Sequence, residues 1–228
     1  MASHSNLKPI KLYGKHGPNP PKVAILLDEL NLPHEIEDVP FSDVKKPEYL
    51  AINPNGRLPA IHDPNTDLTL WESGAILEYL IERYDSKQQK LSFAPGSNEA
   101  FQAKQWLFFQ TTGQGPYYGQ AVWFTKFHPE KVQSAVDRYI NEIKRVTGVL
   151  ETHLAKQKEE YGGQEGFDGP WLVGNKLSYA DIAFIPWQRS ARNIFGESGK
   201  YNEDEFPLVK EWLAKLTARE SVAKAMQQ

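Results

Sequence analysis

The first third of the chain alternates between strand-like and helix-like spacing of its apolar residues. Alternating apolar and polar positions predict β-strands at Ile10 to Tyr13 and His34 to Val39. Between them, apolar residues at helical spacing predict a helix that ends near Leu30. Pro20 and Pro21 suit its first turn, where a missing backbone N–H does no harm. This order of elements predicts a strand–helix–strand unit.

A hairpin and a further helix are predicted to complete this part. An apolar run at Ala60 and Ile61 is followed by a turn at Asp63 to Asn65 and by a strand at Leu68 to Trp71. The sequence Glu72-Ser73-Gly74-Ala75 then opens an apolar helical pattern. We therefore predict a small α+β domain at the start of the chain.

The later part of the chain has helical spacing throughout. A stripe from Val132 to Leu154 predicts a long helix, and the segment from Gly113 to Gly119 is predicted to interrupt the helix before it. Ser178 and Asp181 match a capping box before a buried helix, so we predict a structural role for both. The predicted division is an α+β domain at 1–88, a linker at 89–97 and an all-α domain at 98–228.

Composition excludes several classes of site. The chain has 228 residues, a formal net charge of −3 and no cysteine. A chain without cysteine has no disulfide, thiolate metal site or cysteine nucleophile, so thiol chemistry here must use the thiol of a substrate or cofactor. The six histidines are scattered along the sequence, and we therefore predict no metal site.

Charge and hydropathy also limit the partners that we expect. No basic stripe alternates with aromatic residues, so nucleic acid is not an expected partner. No run of about 18 apolar residues predicts a membrane span. The first ten residues lack the apolar segment of a secretory signal. We therefore expect a cytoplasmic protein.

The stretch from Asn53 to Ala75 carries the candidate site. A cis bond between Leu58 and Pro59 would turn the backbone N–H and C=O of Leu58 towards a ligand, and a trans bond at a strand start is the alternative. Ser73 at a helix N-terminus can bind a carboxylate, and Glu72 beside it can bind an ammonium group. Together they would recognise an α-amino acid group, although a helix cap and a first-turn acid explain each residue taken alone.

Long motifs in the chain resemble the cytosolic glutathione transferases, and most closely their fungal nitrogen-regulator-like class. The resemblance lies in the segments GPNPPKVAILLDEL, NPNGRLPAI, LTLWESGAIL, WLFFQTTGQGPYYGQA and WLVGNKLSYADIAF. It covers about the whole chain and implies a thioredoxin-like first domain, an all-helical second domain and a homodimer. The Asn/Gln-rich prion extension of the yeast regulator is missing from this sequence, which favours an enzyme over a regulator.

The resemblance implies how the candidate site would bind glutathione. Leu58, followed by a cis bond to Pro59, would pair with the cysteinyl backbone of glutathione. Glu72 and Ser73 would bind the ammonium and the carboxylate of the γ-glutamyl group. This assignment agrees with the chemistry that the residue types suggest by themselves.

Three further residues belong to the implied site. Arg57 is a candidate for the glycyl end or for the rim of the site, and Asn53 for support of the loop. Asn19, in GPNPP, takes the place of the Tyr, Ser or Cys that other classes use. An Asn amide can donate a hydrogen bond to the sulfur, and the helix start beside it adds a favourable dipole. Capping of that helix is the alternative role for Asn19, and Tyr13 and His16 are the alternative catalytic residues within reach.

The predicted function is that of a glutathione-dependent enzyme that activates the glutathione thiol. The reaction is reduction of a disulfide or peroxide, conjugation to a small electrophile, or both. A glutathione-binding regulator of a transcription factor in nitrogen metabolism, without catalysis, is the alternative. Tyr117, Tyr118 and Trp123 follow a Gly-Pro pair and are candidates for a second-substrate pocket, with the core or a dimer surface as the alternatives.

Overall fold

The computed structural model of the protein describes residues 6–227 and divides into two compact units. The first unit contains the described residues up to Phe93 together with those from Ala218 onward, and the second runs from Ala94 to Thr217. The last segment of the chain thus groups with the first unit, whereas the sequence pattern places it in the all-α domain at 98–228. Residues 1–5 and 228, at the outer ends of the predicted domains, lie outside the described part.

A mixed β-sheet forms the centre of the first unit. Within residues 6–227 its strands are β1 (Ile10–Tyr13), β2 (His34–Glu37), β3 (Ala60–Asp63) and β4 (Leu68–Trp71), in the order β2-β1-β3-β4. The strand β1 is parallel to β2 and antiparallel to β3, and β3 and β4 form an antiparallel hairpin. The predicted strands are confirmed, except that β2 ends at Glu37 rather than at Val39.

Helices pack on this sheet, and one of them begins directly after the candidate residue Asn19 and another at Ser73. They are α1 (Pro20–Glu29), the short α2 (Pro47–Leu50) and α3 (Ser73–Leu80), which continues into a π-helical turn at Ile81–Asp85. Almost every residue of α1 is buried, because the helix packs on β1 and on α3. The first turns of α1 and α3 are therefore neighbours inside one compact unit.

The second unit is all-helical. Its helices are α4 (Asn98–Phe109), α5 (Gly115–Lys126), α6 (Gln133–Tyr161), α7 (Tyr179–Phe195) and α8 (Pro207–Thr217). The predicted apolar stripe of the long helix is buried in α6, from Val136 to Leu154. No helix in the described part of the chain is both long enough and apolar enough to cross a membrane.

The predicted interruption of the helix between residues 113 and 119 is wrong. A π-helical turn at Gln110–Gln114 links α4 directly to α5. Pro116 falls in the first turn of α5, where its missing N–H removes no helical hydrogen bond. The Gly-Pro pair therefore marks a change in helical winding and not a loop.

The predicted capping box at the start of α7 is confirmed. The backbone N–H and the hydroxyl of Ser178 both donate to Asp181, each over 2.9 Å. The fully buried carboxylate of Asp181 also accepts from the backbone N–H of Leu172 at 2.9 Å and from Trp212 Nε1 at 3.0 Å. Asp181 thus joins the start of α7 to a preceding loop and to α8.

The final helix, α9 (Glu220–Met226), packs against α1 in the first unit. The buried carboxylate of Glu29 accepts from Arg219 Nε at 2.7 Å, from Arg219 Nη2 at 2.8 Å and from Ser221 Oγ at 2.6 Å. Burial by itself raises the pKa of Glu29, but these hydrogen bonds and the charge of Arg219 outweigh it and lower the pKa. These contacts explain why the end of the chain belongs to the first unit.

Candidate functional site

The loop that leads into β3 is held in place by hydrogen bonds to the carbonyl oxygen of Arg57. Asn53 Nδ2 donates to this oxygen at 2.7 Å, and the hydroxyl of Tyr49 donates to it at 2.8 Å. Asn53 is buried, and its Oδ1 also accepts from the backbone N–H of Asn55 at 2.9 Å. The predicted supporting position of Asn53 is the one that the structure gives it, whereas the side chain of Arg57 is exposed.

The peptide bond between Leu58 and Pro59 is cis. Pro59 is buried, and Leu58 is half-buried just before the first residue of β3. Within residues 6–227, no protein group forms a hydrogen bond with the backbone N–H or C=O of Leu58. The segment just before β3 therefore presents one backbone donor and one backbone acceptor to a peptide-like ligand.

Gly14 brings the loop after β1 against Leu58. The φ angle of Gly14 is +103°, a value that favours glycine. A Cβ atom at this position would lie 2.9 Å from Cδ2 of Leu58, which is closer than real Cβ contacts. The loop that carries Asn19 therefore starts in direct contact with Leu58.

Asn19 occupies the N-cap position of α1, but its side chain does not cap the helix. Its backbone oxygen accepts from the N–H of Lys22 at 3.2 Å, and its side chain is half-buried. The alternative in which Asn19 serves only as a side-chain cap is thus not what the structure shows. Asn19 thus lies at the positive end of the α1 dipole, and a role in thiol activation stays a prediction.

Glu72 and Ser73 stand at the start of α3, as predicted. Glu72 is the N-cap residue with φ +72° and ψ 113°, a conformation that L-amino acids rarely adopt. Such a backbone costs on the order of 1–3 kcal/mol, and residues of this kind cluster at functional sites. Ser73 is buried, whereas the side chain of Glu72 is exposed.

Lys22 is a charged residue at this site that the sequence analysis missed. Its side chain is only 2% exposed, and its Nζ donates to Ser73 Oγ over 3.4 Å. Burial lowers the pKa of Lys22 to about 7, although the carboxylate of Glu72 opposes that shift. In the sequence Lys22 falls between prolines and an apolar run, where a solvent-exposed lysine is the ordinary expectation.

Tyr13 and His16, the alternatives to Asn19, have other contacts. Tyr13 lies in β1 with its ring 6.5 Å from the ring of Tyr49, and burial raises its pKa. The exposed ring of His16 is 3.3 Å from a carboxylate oxygen of Asp38. Tyr13 therefore belongs to the packing beneath the loop, and His16 to a surface contact with Asp38.

The three aromatic residues proposed for a second-substrate pocket separate in the structure. Tyr118 is buried in the second unit, and its hydroxyl contacts Thr147 at 3.1 Å and Gln188 at 3.2 Å. A residue so enclosed cannot line an open pocket, so the assignment of Tyr118 is corrected to the core. Tyr117 packs on Tyr139 with ring centroids 6.2 Å apart, and Trp123 is 49% exposed.

Metal-binding residues do not converge at this site. Among residues 6–227, no group of three or more His, Asp or Glu side chains is arranged to hold a metal ion. Strand pairing and one side-chain contact set the groups of this site near one another. Ala60, two residues after Leu58, pairs with Trp71, the residue before Glu72. Lys22, three residues after Asn19, reaches Ser73 with its Nζ.

Comparison with known proteins gives matches over both units. The family models for the N-terminal and C-terminal domains of glutathione S-transferases match residues 16–83 and 116–220. The glutathione S-transferase-like protein tpcF of Aspergillus fumigatus is 59% identical over 221 residues, which are 97% of this chain and 96% of tpcF.

Solved structures show the same relationship. The glutathione transferase URE2P6 of Phanerochaete chrysosporium, in complex with oxidized glutathione, matches with a TM-score of 0.84 and 46% identity over 96% of both chains. The yeast prion protein Ure2p, in complex with glutathione, matches with a TM-score of 0.88 and 38% identity over 98% of this chain and 96% of the solved Ure2p chain. The chain therefore belongs to the glutathione transferase family and is similar to its Ure2-like members.

Proposed function

We propose that the protein binds glutathione in the first unit and activates its thiol for reaction with a disulfide or an electrophilic carbon. The observation that carries this proposal is the pairing of Ala60 with Trp71, which sets the open Leu58 backbone beside the Glu72–Ser73 helix start. The glutathione complexes of URE2P6 and Ure2p support the same ligand.

Each part of glutathione has a complementary group in this arrangement. The N–H and C=O of Leu58 pair with the cysteinyl backbone, as a strand edge pairs with a peptide. Ser73 and the N-terminus of α3 bind the γ-glutamyl carboxylate, and the carboxylate of Glu72 binds the ammonium group. Asn53 fixes the loop, and the exposed Arg57 is available to the glycyl carboxylate.

Asn19 is the group that stabilises the thiolate. A free thiol has a pKa of about 8.5, so only a few per cent is ionised at neutral pH. Lowering that pKa by about two units requires about 2.7 kcal/mol of preference for the anion. A hydrogen bond from the Asn19 amide and the dipole of α1 together supply stabilisation of this size.

Disulfide reduction takes two electrons and therefore consumes two glutathione molecules, and because the chain has no cysteine, glutathione thiolates carry out both attacks. The bound thiolate attacks one sulfur of the substrate disulfide, forms a mixed disulfide and releases the other sulfur as a thiolate. A second glutathione thiolate attacks the glutathione sulfur of that mixed disulfide. The products are oxidised glutathione and the second substrate thiol, so electrons and protons balance without a protein thiol.

The first experiment compares turnover of glutathione with hydroxyethyl disulfide and with chlorodinitrobenzene. Rapid disulfide reduction with little conjugation assigns the protein as a disulfide reductase. Rapid conjugation instead makes Tyr117 and Trp123 the residues to test as the electrophile pocket. If the protein binds glutathione but shows neither activity, the result would contradict the proposal of an enzyme and favour a non-catalytic regulator.

Replacing Asn19 tests thiol activation directly. We expect Asn19→Ala to lower kcat about 10- to 100-fold, with the KM for glutathione within about twofold of the wild type. The ultraviolet absorbance of bound thiolate should titrate at higher pH in this variant. Asn141→Ala removes an exposed amide of α6 and should leave both readouts unchanged. Wild-type kcat in Asn19→Ala would exclude Asn19 from the mechanism.

We also infer a homodimer. Phe101 and Phe108 are 65% and 57% exposed and lie seven residues apart on one face of α4. Light scattering after size-exclusion chromatography measures the mass, and Phe108→Lys should shift the protein towards monomer. A wild-type monomer at micromolar concentration would contradict this inference.

A further inference from the structure

Lys22 connects the starts of two helices at the proposed glutathione site. It lies in the first turn of α1, three residues after Asn19, and its Nζ reaches Ser73 Oγ at the first residue of α3. Both side chains are buried, with 2% exposure for Lys22 and 7% for Ser73. A buried amine within hydrogen-bond distance of a hydroxyl can change the direction in which that hydroxyl donates.

We propose that Lys22 is a positioning residue that directs the Ser73 hydroxyl towards the γ-glutamyl carboxylate and takes up a proton when that carboxylate binds. The inference rests on the proposed function, because it assigns the ligand carboxylate to Ser73. It adds a proton-coupled step to glutathione binding that is separate from ionisation of the thiol.

The hydrogen-bonding capacity of the amine explains the positioning. A neutral lysine amine has a lone pair, so the Ser73 hydroxyl can donate its hydrogen inward to Nζ. A protonated ammonium has donors only, so it donates to Ser73 Oγ and the hydroxyl hydrogen must point elsewhere. Protonation of Lys22 therefore frees the Ser73 hydroxyl to donate to the ligand carboxylate.

Charge balance explains the proton uptake. Burial lowers the pKa of Lys22 to about 7, so at pH 8 the amine is mostly neutral in the free protein. A carboxylate bound at Ser73 adds a negative charge beside the amine and raises its pKa. The ligand ammonium bound at Glu72 would lower the pKa of Lys22. Its effect is weaker, because the side chain of Glu72 is exposed and water screens the charge there.

Other titratable groups around α1 form ion pairs with other residues or lie more than one helical turn away from Ser73. Lys11 of β1 pairs with Glu37 at 3.1 Å, and Lys224 of α9 pairs with Asp28 at 2.8 Å. On α3, the residues Glu78 and Tyr79 follow Ser73 by more than one helical turn. Near the last turn of α1, His34 faces Asp28, and Lys90 and Arg219 face Glu29. None of these groups contributes to the pKa shift of Lys22, nor do Tyr13 on β1 and Glu220 on α9.

The test is calorimetry of S-hexylglutathione binding at pH 8 in buffers of different ionisation enthalpy. This ligand has no free thiol, so proton release from sulfur cannot mask uptake by the protein. We expect the wild type to take up about half a proton or more per site. Lys22→Met should lose most of that uptake and bind the ligand about 10- to 100-fold more weakly.

A matched control and a second variant separate positioning from a general charge effect. Lys11→Met removes an exposed lysine with an ion pair and should keep both uptake and affinity. In a Ser73→Ala background, Lys22→Met should change affinity less than about threefold, because the hydroxyl that it orients is gone.

The outcomes distinguish this inference from the proposed function. Binding to the wild type without proton uptake, or with the uptake seen in Lys22→Met, would overturn the role of Lys22. Additive losses in the double variant would overturn positioning through Ser73. Failure of the wild type to bind S-hexylglutathione at millimolar ligand would instead overturn the proposed glutathione site. The wild-type measurement does not depend on whether any variant folds.

Discussion

At the residue scale, the candidate site contains two residues whose native state is unfavourable in itself. Glu72 holds a backbone conformation with φ +72°, and Lys22 buries an amine whose charged form prefers water. Unfavourable conformations and buried charges of this kind persist only where the surrounding structure enforces them. They occur most often at functional sites. Both penalties are measurable as changes in stability.

Replacing Glu72 should separate stability from binding. Glu72→Gly relieves the backbone strain and should raise the free energy of unfolding by about 1 kcal/mol. The same change removes the proposed partner of the ligand ammonium and should weaken glutathione binding about tenfold or more. Asp67→Gly, at φ 54° in the β3–β4 turn, should stabilise similarly without affecting binding. Equal loss of binding in both variants would argue against a ligand role for Glu72.

Lys22 should make stability depend on pH between about 7 and 10. Its pKa is about 7 in the folded protein and about 10.4 in the unfolded chain, so the unfolded state binds more protons in this window. Stability must then rise with pH across the window, and the penalty is fully present below pH 7. Lys22→Met should stabilise the protein by up to about 5 kcal/mol at pH 6, with a smaller gain at pH 9.5. Urea unfolding at both values tests this, and parallel pH profiles for wild type and variant would refute it.

At the element scale, the start of α7 depends on one buried carboxylate. Burial raises the pKa of Asp181, and the four hydrogen bonds that it accepts from Leu172, Ser178 and Trp212 oppose that rise. A cap alone contributes about 1 kcal/mol, but here the carboxylate also holds a loop and α8.

Asp181→Ala should therefore cost about 3–5 kcal/mol, well above the loss of a simple cap. Asp204→Ala, which removes an exposed partner of Lys210, should cost less than about 1 kcal/mol. Chemical denaturation of both variants gives the comparison. A loss near 1 kcal/mol for Asp181→Ala would mean that the contacts to Leu172 and Trp212 add little.

At the scale of the whole molecule, the C-terminal segment from Ala218 onward belongs to the first unit. Glu29 in α1 is buried, and besides Lys90 at 3.8 Å it pairs with Arg219, which comes 190 residues later in the sequence. An unpaired buried carboxylate is strongly unfavourable, so the C-terminal segment stabilises the first unit through this contact.

Removing residues 218–228 should destabilise the first unit by about 3–5 kcal/mol. Adding Glu29→Leu to the truncated chain should recover part of this loss, because no carboxylate is then left buried without its partners. In the full chain, Lys224→Met removes only an exposed ion pair and should cost less than about 1 kcal/mol. Equal thermal stability of full and truncated chains would show that α9 contributes nothing to the first unit.

Local patterns predicted most of the fold because they depend on neighbours in sequence. The strands β1 and β4, the helix α1 and the capping box of α7 each follow from spacing, proline placement or cap chemistry within a few residues. The Gly-Pro pair at the start of α5 failed as a signal of an interruption, because a proline in the first turn of a helix removes no helical hydrogen bond. Tyr118 failed as a pocket residue because burial is set by neighbouring helices, which its own segment does not reveal.

The sequence by itself determined the family, the order of elements and the residues Asn19, Leu58, Glu72 and Ser73 as candidates, because each lies in a recognisable local motif. The tertiary structure alone decided that Lys22 is buried behind Ser73, that Gly14 presses on Leu58 and that α9 completes the first unit. The physical reason is that desolvation, close backbone approach and the pairing of buried charges arise between segments far apart in the chain, where no local pattern records them.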